Sequence, residues 1–418
     1  MHFALLLLLV TAVERVDVRV SGIGFTSEAA VRRLMSTKPG EAFDAELLER
    51  DLVRLRTLGI LYDVTARSEG DGRRVEVSVK DRWSLLPVLG LRRGGGRTTA
   101  RAGVSDHNVA GQLATLYGEL TSNSDLPFLG GGKLGSYFLG EVPRIFATRL
   151  SPGLSWTRDF LDFAAFGTDG QAHYLYDRSR HDLRAEARYE ITDRVALTAG
   201  VEVLHDRFSS SALAPAPGTP PRAVDATSAV ARLQLGQIEE IVSLSRGREL
   251  KLELSGSRKG VLGSSASAVN VLAAGRLFLI PRQGHNLCAQ LLLLGTTGQS
   301  DSFLFRAGGL REIRGFVDAF FEGQLMARAN LEYRLDVLRL TAPIPAIGQI
   351  AAFTDGGWVT SRAGAVAGLD YQGPIESVGV GVRYIPIPFA RVVGRLDLAV
   401  GIIPRRTLDI SFSGQQFF

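Results

Sequence analysis

From about Trp83 to the carboxy terminus, apolar and polar positions alternate with a period of two, interrupted by clusters of Gly, Pro and Asn. His181 to Ile191 is the clearest segment, with Leu183, Ala185, Ala187, Tyr189 and Ile191 on one face and Asp182, Arg184, Glu186, Arg188 and Glu190 on the other. Val195–Val203, Leu250–Leu254, Leu325–Leu335, Val378–Tyr384 and Leu396–Ile402 repeat the arrangement, which is the period of half-buried strands. The last segment, Thr407 to Phe418, sets Leu408, Ile410, Phe412 and the terminal Phe418 against Asp409, Ser411 and Ser413. A water-soluble sandwich would not bury such rows of charge. A strand of about 9–11 residues with one apolar face crosses a bilayer only if closure into a barrel satisfies every backbone N–H and C=O. The pattern therefore predicts a mainly β fold dominated by a transmembrane antiparallel β-barrel with its ionised side chains in a wet lumen. Roughly 335 residues, at about 20 per strand with its connection, give about 16 strands. Ser209 to Asp225, with Pro215, Pro217, Pro220 and Pro221, reads as an extracellular loop, and Asp193 as part of a short periplasmic turn.

The first 82 residues are patterned differently. Phe3 to Val10 is an apolar run followed by Thr11 and Ala12, too short to span a membrane as a helix and suited to the core of a secretory signal over residues 1–13. No Lys or Arg precedes it, which is atypical of such signals. Val16, Val18 and Val20 then alternate as a strand, broken by Gly22-Ile23-Gly24 before Thr26-Ser27, an N-cap for Glu28 to Met35. Asp44 caps a second helix, Ala45 to Leu58, whose Leu47, Leu48, Leu52, Leu55 and Leu58 put an apolar stripe at helical spacing, and Gly59 is placed to end it. Tyr62–Arg67 and Arg74–Lys80 read as strands. The order β-α-α-β-β fills residues 14–82 and leaves 83–418 for the barrel.

Composition agrees with this picture and excludes others. The 418 residues include 47 Gly but only 8% aromatics, which suits many short strands and tight turns. The net charge of +5 is small and dispersed, so nucleic acid is not an expected partner. The six His residues show no metal-binding spacing, no nucleophile elbow is present, and no cofactor, metal centre or enzymatic activity is expected. Cys288 is the only cysteine and sits in an apolar run as a small packing residue. Gly94-Gly95-Gly96-Arg97-Thr98-Thr99 lacks the Lys-Ser/Thr ending of a phosphate loop and reads as a flexible entrance between module and barrel.

The β-α-α-β-β order, together with Phe43, Leu55-Arg56-Thr57-Leu58-Gly59, Tyr62-Asp63-Val64 and Val75-Glu76-Val77-Ser78-Val79, resembles a POTRA domain. The resemblance implies a three-stranded sheet whose exposed edge accepts an extended client strand; an inert spacer that plugs or orients the barrel is the rival reading. Within the barrel, Gly308 to Phe316 contains Ile313-Arg314-Gly315-Phe316. This run resembles the hydrophobic-Arg-Gly-aromatic signature of the superfamily that contains the BamA and TamA assembly factors and the two-partner secretion transporters. Asn330–Arg334, Phe353–Gly357, Gly379–Tyr384 and Ile410–Phe418 match the same superfamily in order, the last with Phe412 and Phe418 as the carboxy-terminal barrel signal.

The superfamily resemblance implies an extracellular loop folded back into the lumen, where Arg314 meets Asp355 and Glu332 and Gly315 lets the backbone bend beside the guanidinium. It implies an outer-membrane protein with its module in the periplasm, in contact with membrane lipid, unfolded outer-membrane or secreted clients, and periplasmic chaperones or accessory lipoproteins. The leading function is barrel assembly and insertion through a weak seam between first and last strands, near which Gly381, Gly401 and Gly414 lie. The alternative is a secretion pore for one exported partner, although such transporters usually carry two modules and a plug helix. Deletion of residues 14–80 separates these readings from a passive channel. Planar-bilayer conductance should survive the deletion in a passive channel, whereas client handling should be lost in either recognition function.

Overall fold

The computed structural model describes residues 12–94, 97–124, 133–145, 148–166, 172–210, 220–308, 312–316, 321–360, 373–389 and 392–415. The expected signal, apart from Ala12 and Val13, lies outside the described residues, as do Phe418 and residues 211–219 of the Pro-rich connection. β1 (Arg15–Gly22), α1 (Glu28–Leu34), α2 (Ala45–Thr57), β2 (Leu61–Glu69) and β3 (Arg74–Asp81) form the amino-terminal module. β3 is central, parallel to β1 and antiparallel to β2. Ser27 Oγ accepts from Ala30 N at 3.1 Å, and Asp44 Oδ1 accepts from Glu46 N at 2.8 Å and Leu47 N at 3.1 Å. These caps occupy donors that a first helical turn leaves without partners. Gly59 ends α2 at φ +68°, the left-handed conformation that follows many helices. Val16, Val77 and Val79 of the sheet and Val31, Leu52 and Leu55 of the helices share one core, which also contains Val13.

The remaining chain is a 16-stranded antiparallel sheet. Its first eleven strands are β4 (Leu85–Gly94), β5 (Arg97–Val109), β6 (Ala114–Ser124), β7 (Lys133–Glu141), β8 (Leu150–Phe166), β9 (Ala172–Thr192), β10 (Val195–Ser210), β11 (Val224–Ile241), β12 (Leu244–Ser257), β13 (Ala268–Leu279) and β14 (His285–Thr296). A two-stranded ribbon follows, β15 (Phe305–Ala307) with β16 (Phe321–Gly323). β17 (Leu325–Leu340), β18 (Ala346–Thr360), β19 (Gly373–Pro386), β20 (Val392–Ile403) and β21 (Thr407–Gln415) complete the sheet. Consecutive strands pair throughout, and β14 pairs directly with β17, so residues 297–324 leave the sheet as one long connection. Gly94 pairs with Arg97, and Thr98 and Thr99 pair with Arg93 and Arg92, so the described residues of this stretch belong to adjacent strands of the sheet and not to the entrance from the module. The alternation continues back to Leu85, leaving only Arg82 to Ser84 as the link.

Side chains sort by parity, as a pleated strand requires. On β9, Leu183 and Tyr189 are exposed on the outside, while Arg184, Glu186 and Arg188 are partly buried inside. Arg184 Nη2 lies 2.9 Å from Glu253 Oε1, and Arg232 Nε donates to Glu253 Oε2 at 2.7 Å. The sheet rolls until Cα atoms of β4 and β21 come within 8 Å of one another. Among the described residues, however, no hydrogen-bonded register joins those two strands, which are the ends of the ladder.

The module is docked on the end of the sheet that carries the β5–β6, β7–β8 and β9–β10 turns. Asn108 Nδ2 donates to Thr26 Oγ1 at 2.7 Å, Arg33 Nη2 donates to Gln112 O at 2.6 Å, and Leu113 enters the module's core. Arg54 of α2 pairs with Asp51 at 2.9 Å and closely with Asp193 of the β9–β10 turn. Leu34 O accepts from Arg54 at 2.9 Å and from Arg144 at 2.7 Å, and Arg144 in turn donates to Glu190 at 2.7 Å. Burial, reinforced by Arg144, holds the Arg54 guanidinium below its ordinary pKa, while Glu190 and Asp51 oppose that fall. α2 and the residue that follows it thereby contribute Arg54, Thr57 and Leu58 to the lining of a cavity of about 1320 Å³ that Glu312 and Arg328 also line. Breaking a buried ion pair by removing one partner costs about 3 kcal/mol or more. Arg54→Ala is accordingly expected to speed amide exchange in α2 roughly a hundredfold where exchange proceeds through undocking, which hydrogen–deuterium exchange measures directly.

Candidate functional site

The long connection between β14 and β17 brings Arg314 against the inner wall of β17 to β20. Its guanidinium is almost fully buried and makes a bidentate contact with Asp355 of β18, Nε to Oδ2 at 2.6 Å and Nη2 to Oδ1 at 2.6 Å. The Arg314 backbone N–H also donates to Asp355 Oδ2, at 3.0 Å. Nη1 donates to Glu332 Oε2 of β17 at 2.5 Å, and the planar group lies 3.3 Å from the centre of the Phe353 ring. Glu332 is a hub: it accepts from Arg334 Nε at 2.7 Å and from Arg383 Nη2 of β19 at 3.2 Å as well. Arg383 Nη1 donates at 2.5 Å to Asp397 of β20, which also binds Arg395. Four guanidinium groups thus share three carboxylates in a buried patch spanning four adjacent strands. Charge-assisted, bidentate contacts of this kind hold a loop in one geometry.

Space for this patch is made by glycines. A Cβ at Gly379 would lie 2.3 Å from Phe353 Cζ, and one at Gly381 would lie 2.1 Å from Asp397 Oδ1. Gly401 lies under Phe316, where a Cβ would approach Cζ to 2.7 Å. Gly381 and Gly401, read from the sequence as signs of a weak or bent seam, therefore serve packing around the cluster. The irregularity near Gly414 is a register shift where Gln415 and Ser413 oppose Val392 and Arg395. Gly315 adopts φ +88° with its carbonyl accepting from Thr407 Oγ1 of β21. Ile313 and Phe316 are buried with Phe321 in an apolar knot, the two phenylalanine rings edge-to-face at 5.1 Å.

The same connection has a second anchorage, on a different part of the wall. Tyr176 OH of β9 donates to Asp301 Oδ2 at 2.9 Å, and Arg180 donates to Ser302 O. Phe303 packs with Leu204 of β10 and Ala226 of β11. Arg306 Nε meets Glu322 Oε2 across the β15–β16 ribbon at 3.0 Å. The connection is therefore a strap between the β9–β11 wall and the β17–β20 wall.

Comparison with known proteins bears on both parts of the chain. Residues 16–81 match the POTRA family, described as surface antigen variable number repeat. CdiB from Escherichia coli superposes with a TM-score of 0.64 at 13% identity, covering 96% of this chain and 76% of that one. CdiB from Acinetobacter baumannii gives 0.62 at 12% identity, with 97% and 73% covered. BamA from Haemophilus ducreyi lacking POTRA domains 1–3 gives 0.52 at 14% identity, with 95% and 83% covered. The chain is one POTRA module on a barrel with the BamA and CdiB fold. No curated protein matches the sequence.

The structure brings Ile313, Arg314, Gly315, Phe316, Glu332 and Asp355 into one place; Phe412 lies apart, exposed on the outer face of β21. Sequence reasoning did not single out Asp397, Arg395 or the Phe353 stacking as parts of the cluster. The signal for Asp397 was available, since Leu396, Leu398 and Val400 point outward and leave Asp397 inside. Among the described residues no group of three or more His, Cys, Asp or Glu could hold a metal ion. Arg314→Ala removes a buried partner, at a cost of about 3–5 kcal/mol, yet leaves three guanidinium groups facing three carboxylates. Glu332→Gln leaves four facing two. Unfolding midpoints in detergent should therefore fall for both, further for Glu332→Gln, with Arg314→Lys intermediate because it keeps charge and loses the fork.

Proposed function

We propose that this chain is a non-enzymatic outer-membrane protein that assembles and inserts other barrels. Residues 1–13 serve as its export signal, 14–82 as a periplasmic POTRA module and 83–418 as the barrel. The outward rows of leucine, valine and isoleucine support a lipid environment, since water-soluble proteins rarely expose apolar surface on this scale. The observation that carries the reading is the seam: β4 and β21 lie side by side, but no described register pairs them. An unpaired edge is a template for an incoming strand, because main-chain groups need partners in an apolar medium. The POTRA module receives unfolded clients, with chaperones or accessory lipoproteins as further partners, and passes them to that edge. The Arg314 cluster fixes the strap inside the lumen and keeps the β17–β20 wall rigid beside the seam, with Asp355 and Glu332 as its carboxylate partners.

The likeness to two CdiB structures favours a second reading, a secretion pore in which the strap must leave the lumen and α2 must move off the cavity it lines for an exported partner to pass. Depletion of the protein followed by quantitation of all outer-membrane barrels and all secreted proteins tests the choice. Broad loss of barrels is the expected result. Loss of a single secreted species with barrel levels unchanged would replace assembly by secretion.

A further inference from the structure

The POTRA module carries apolar side chains that its own core does not cover. In the connection between β1 and α1, Ile23 is 53% exposed and Phe25 is 75% exposed. The backbone around them is held tightly: Gly24 N donates to Asp81 Oδ1 at 3.0 Å, and Thr26 N to Asp81 Oδ2 at 2.9 Å. A Cβ at Gly24 would lie 2.6 Å from Asp81 Oδ2, and one at Gly111 of the β5–β6 turn 2.2 Å from the Phe25 carbonyl. The loop is thus clamped between β3 and the barrel, with two large apolar side chains turned outward. No charged residue occurs from Val20 to Ser27.

The position of the loop selects its partner. Phe25 stacks edge-to-face on Trp83, ring centroids 5.6 Å apart. Trp83 has the strand parity of Leu85 and Leu89, which are 49% and 68% exposed on the outer face of β4. Two residues along a strand span about 7 Å, so the aromatic pair sits just past the module-side end of that apolar row. This is the level at which membrane proteins concentrate aromatic side chains, between acyl chains and water. The outward apolar surface therefore passes from Leu89 through Leu85 and Trp83 onto Phe25 of the module. An unfolded client would also accept an apolar surface, but continuity with the outer face of the barrel favours lipid.

We infer that Ile23 and Phe25 enter the periplasmic leaflet and hold the POTRA module against the membrane beside the β4 edge. The inference rests on the reading of β4 to β21 as a bilayer-spanning barrel, and the test separates the two. The full-length protein contains Trp83, Trp156 and Trp358, so variants with one tryptophan each can be placed in phosphatidylcholine vesicles brominated near the carbonyl or near the methyl end of the acyl chain. Trp358 alone, 53% exposed on the outer face of β18, reports on the barrel. Phe25→Trp and, independently, Ile23→Trp, each with the three native tryptophans changed to Phe, report on the loop.

Bromine near the carbonyl should quench both loop probes roughly twofold, more than bromine near the methyl end. Quenched Trp358 with unquenched loop probes would overturn the inference and leave the barrel reading standing. Unquenched Trp358 would remove the barrel reading and this one together. Loop probes untouched by lipid but shielded on addition of an unfolded barrel polypeptide would overturn the lipid assignment in favour of a client surface. Heat-modifiable gel mobility of each variant shows that it has folded.

Discussion

Main-chain hydrogen bonding is the constraint on which this molecule turns. A sheet that presents apolar rows outward and ion pairs inward can satisfy its N–H and C=O groups only by laddering strand to strand, because an apolar surround offers no substitute partners. β5 to β14 and β17 to β20 each lie between two strands, and the register of β10 with β9 runs the full length of β10. β4 and β21 have one laddered neighbour each among the described residues.

The interior answers the same constraint with side chains. Charges taken out of water need matched partners in good geometry, and the inner wall supplies them at both ends of the strap: Arg314 with Asp355 and Glu332, and Tyr176 with Asp301. The strap is consequently part of the wall's own electrostatic balance. It cannot be withdrawn as an inert loop could, because each departing group strands an opposite charge or an unpaired polar atom on β9, β17 or β18.

Much of this was legible in the linear pattern. A period of two with charges on one parity announced the sheet and its inverted faces, and Ser27 and Asp44 marked the helix starts because only such side chains cap the first turn. What escaped reading were contacts that depend on neighbours distant in sequence. Gly381 and Gly401 look like flexible points until Asp397 and Phe316 are seen above them. Gly94 looks like a linker until Arg97 is found opposite it. Asp397 was visible as an inward residue of β20, but nothing local tied it to an arginine two strands of ladder away from Glu332. Strand parity gives the face a residue occupies; register gives its companions, and register is a property of the assembled sheet.

Leu113 belongs to the β5–β6 turn of the barrel, yet it is buried in the hydrophobic interior of the POTRA module, held there by a hydrogen bond from its N–H to Asn108 Oδ1 at 2.8 Å. The module is therefore synthesised before one piece of its own core. Its native packing is completed by a hairpin that lies later in the chain, so a fragment ending at the link would be a differently packed object from the same residues in the intact chain.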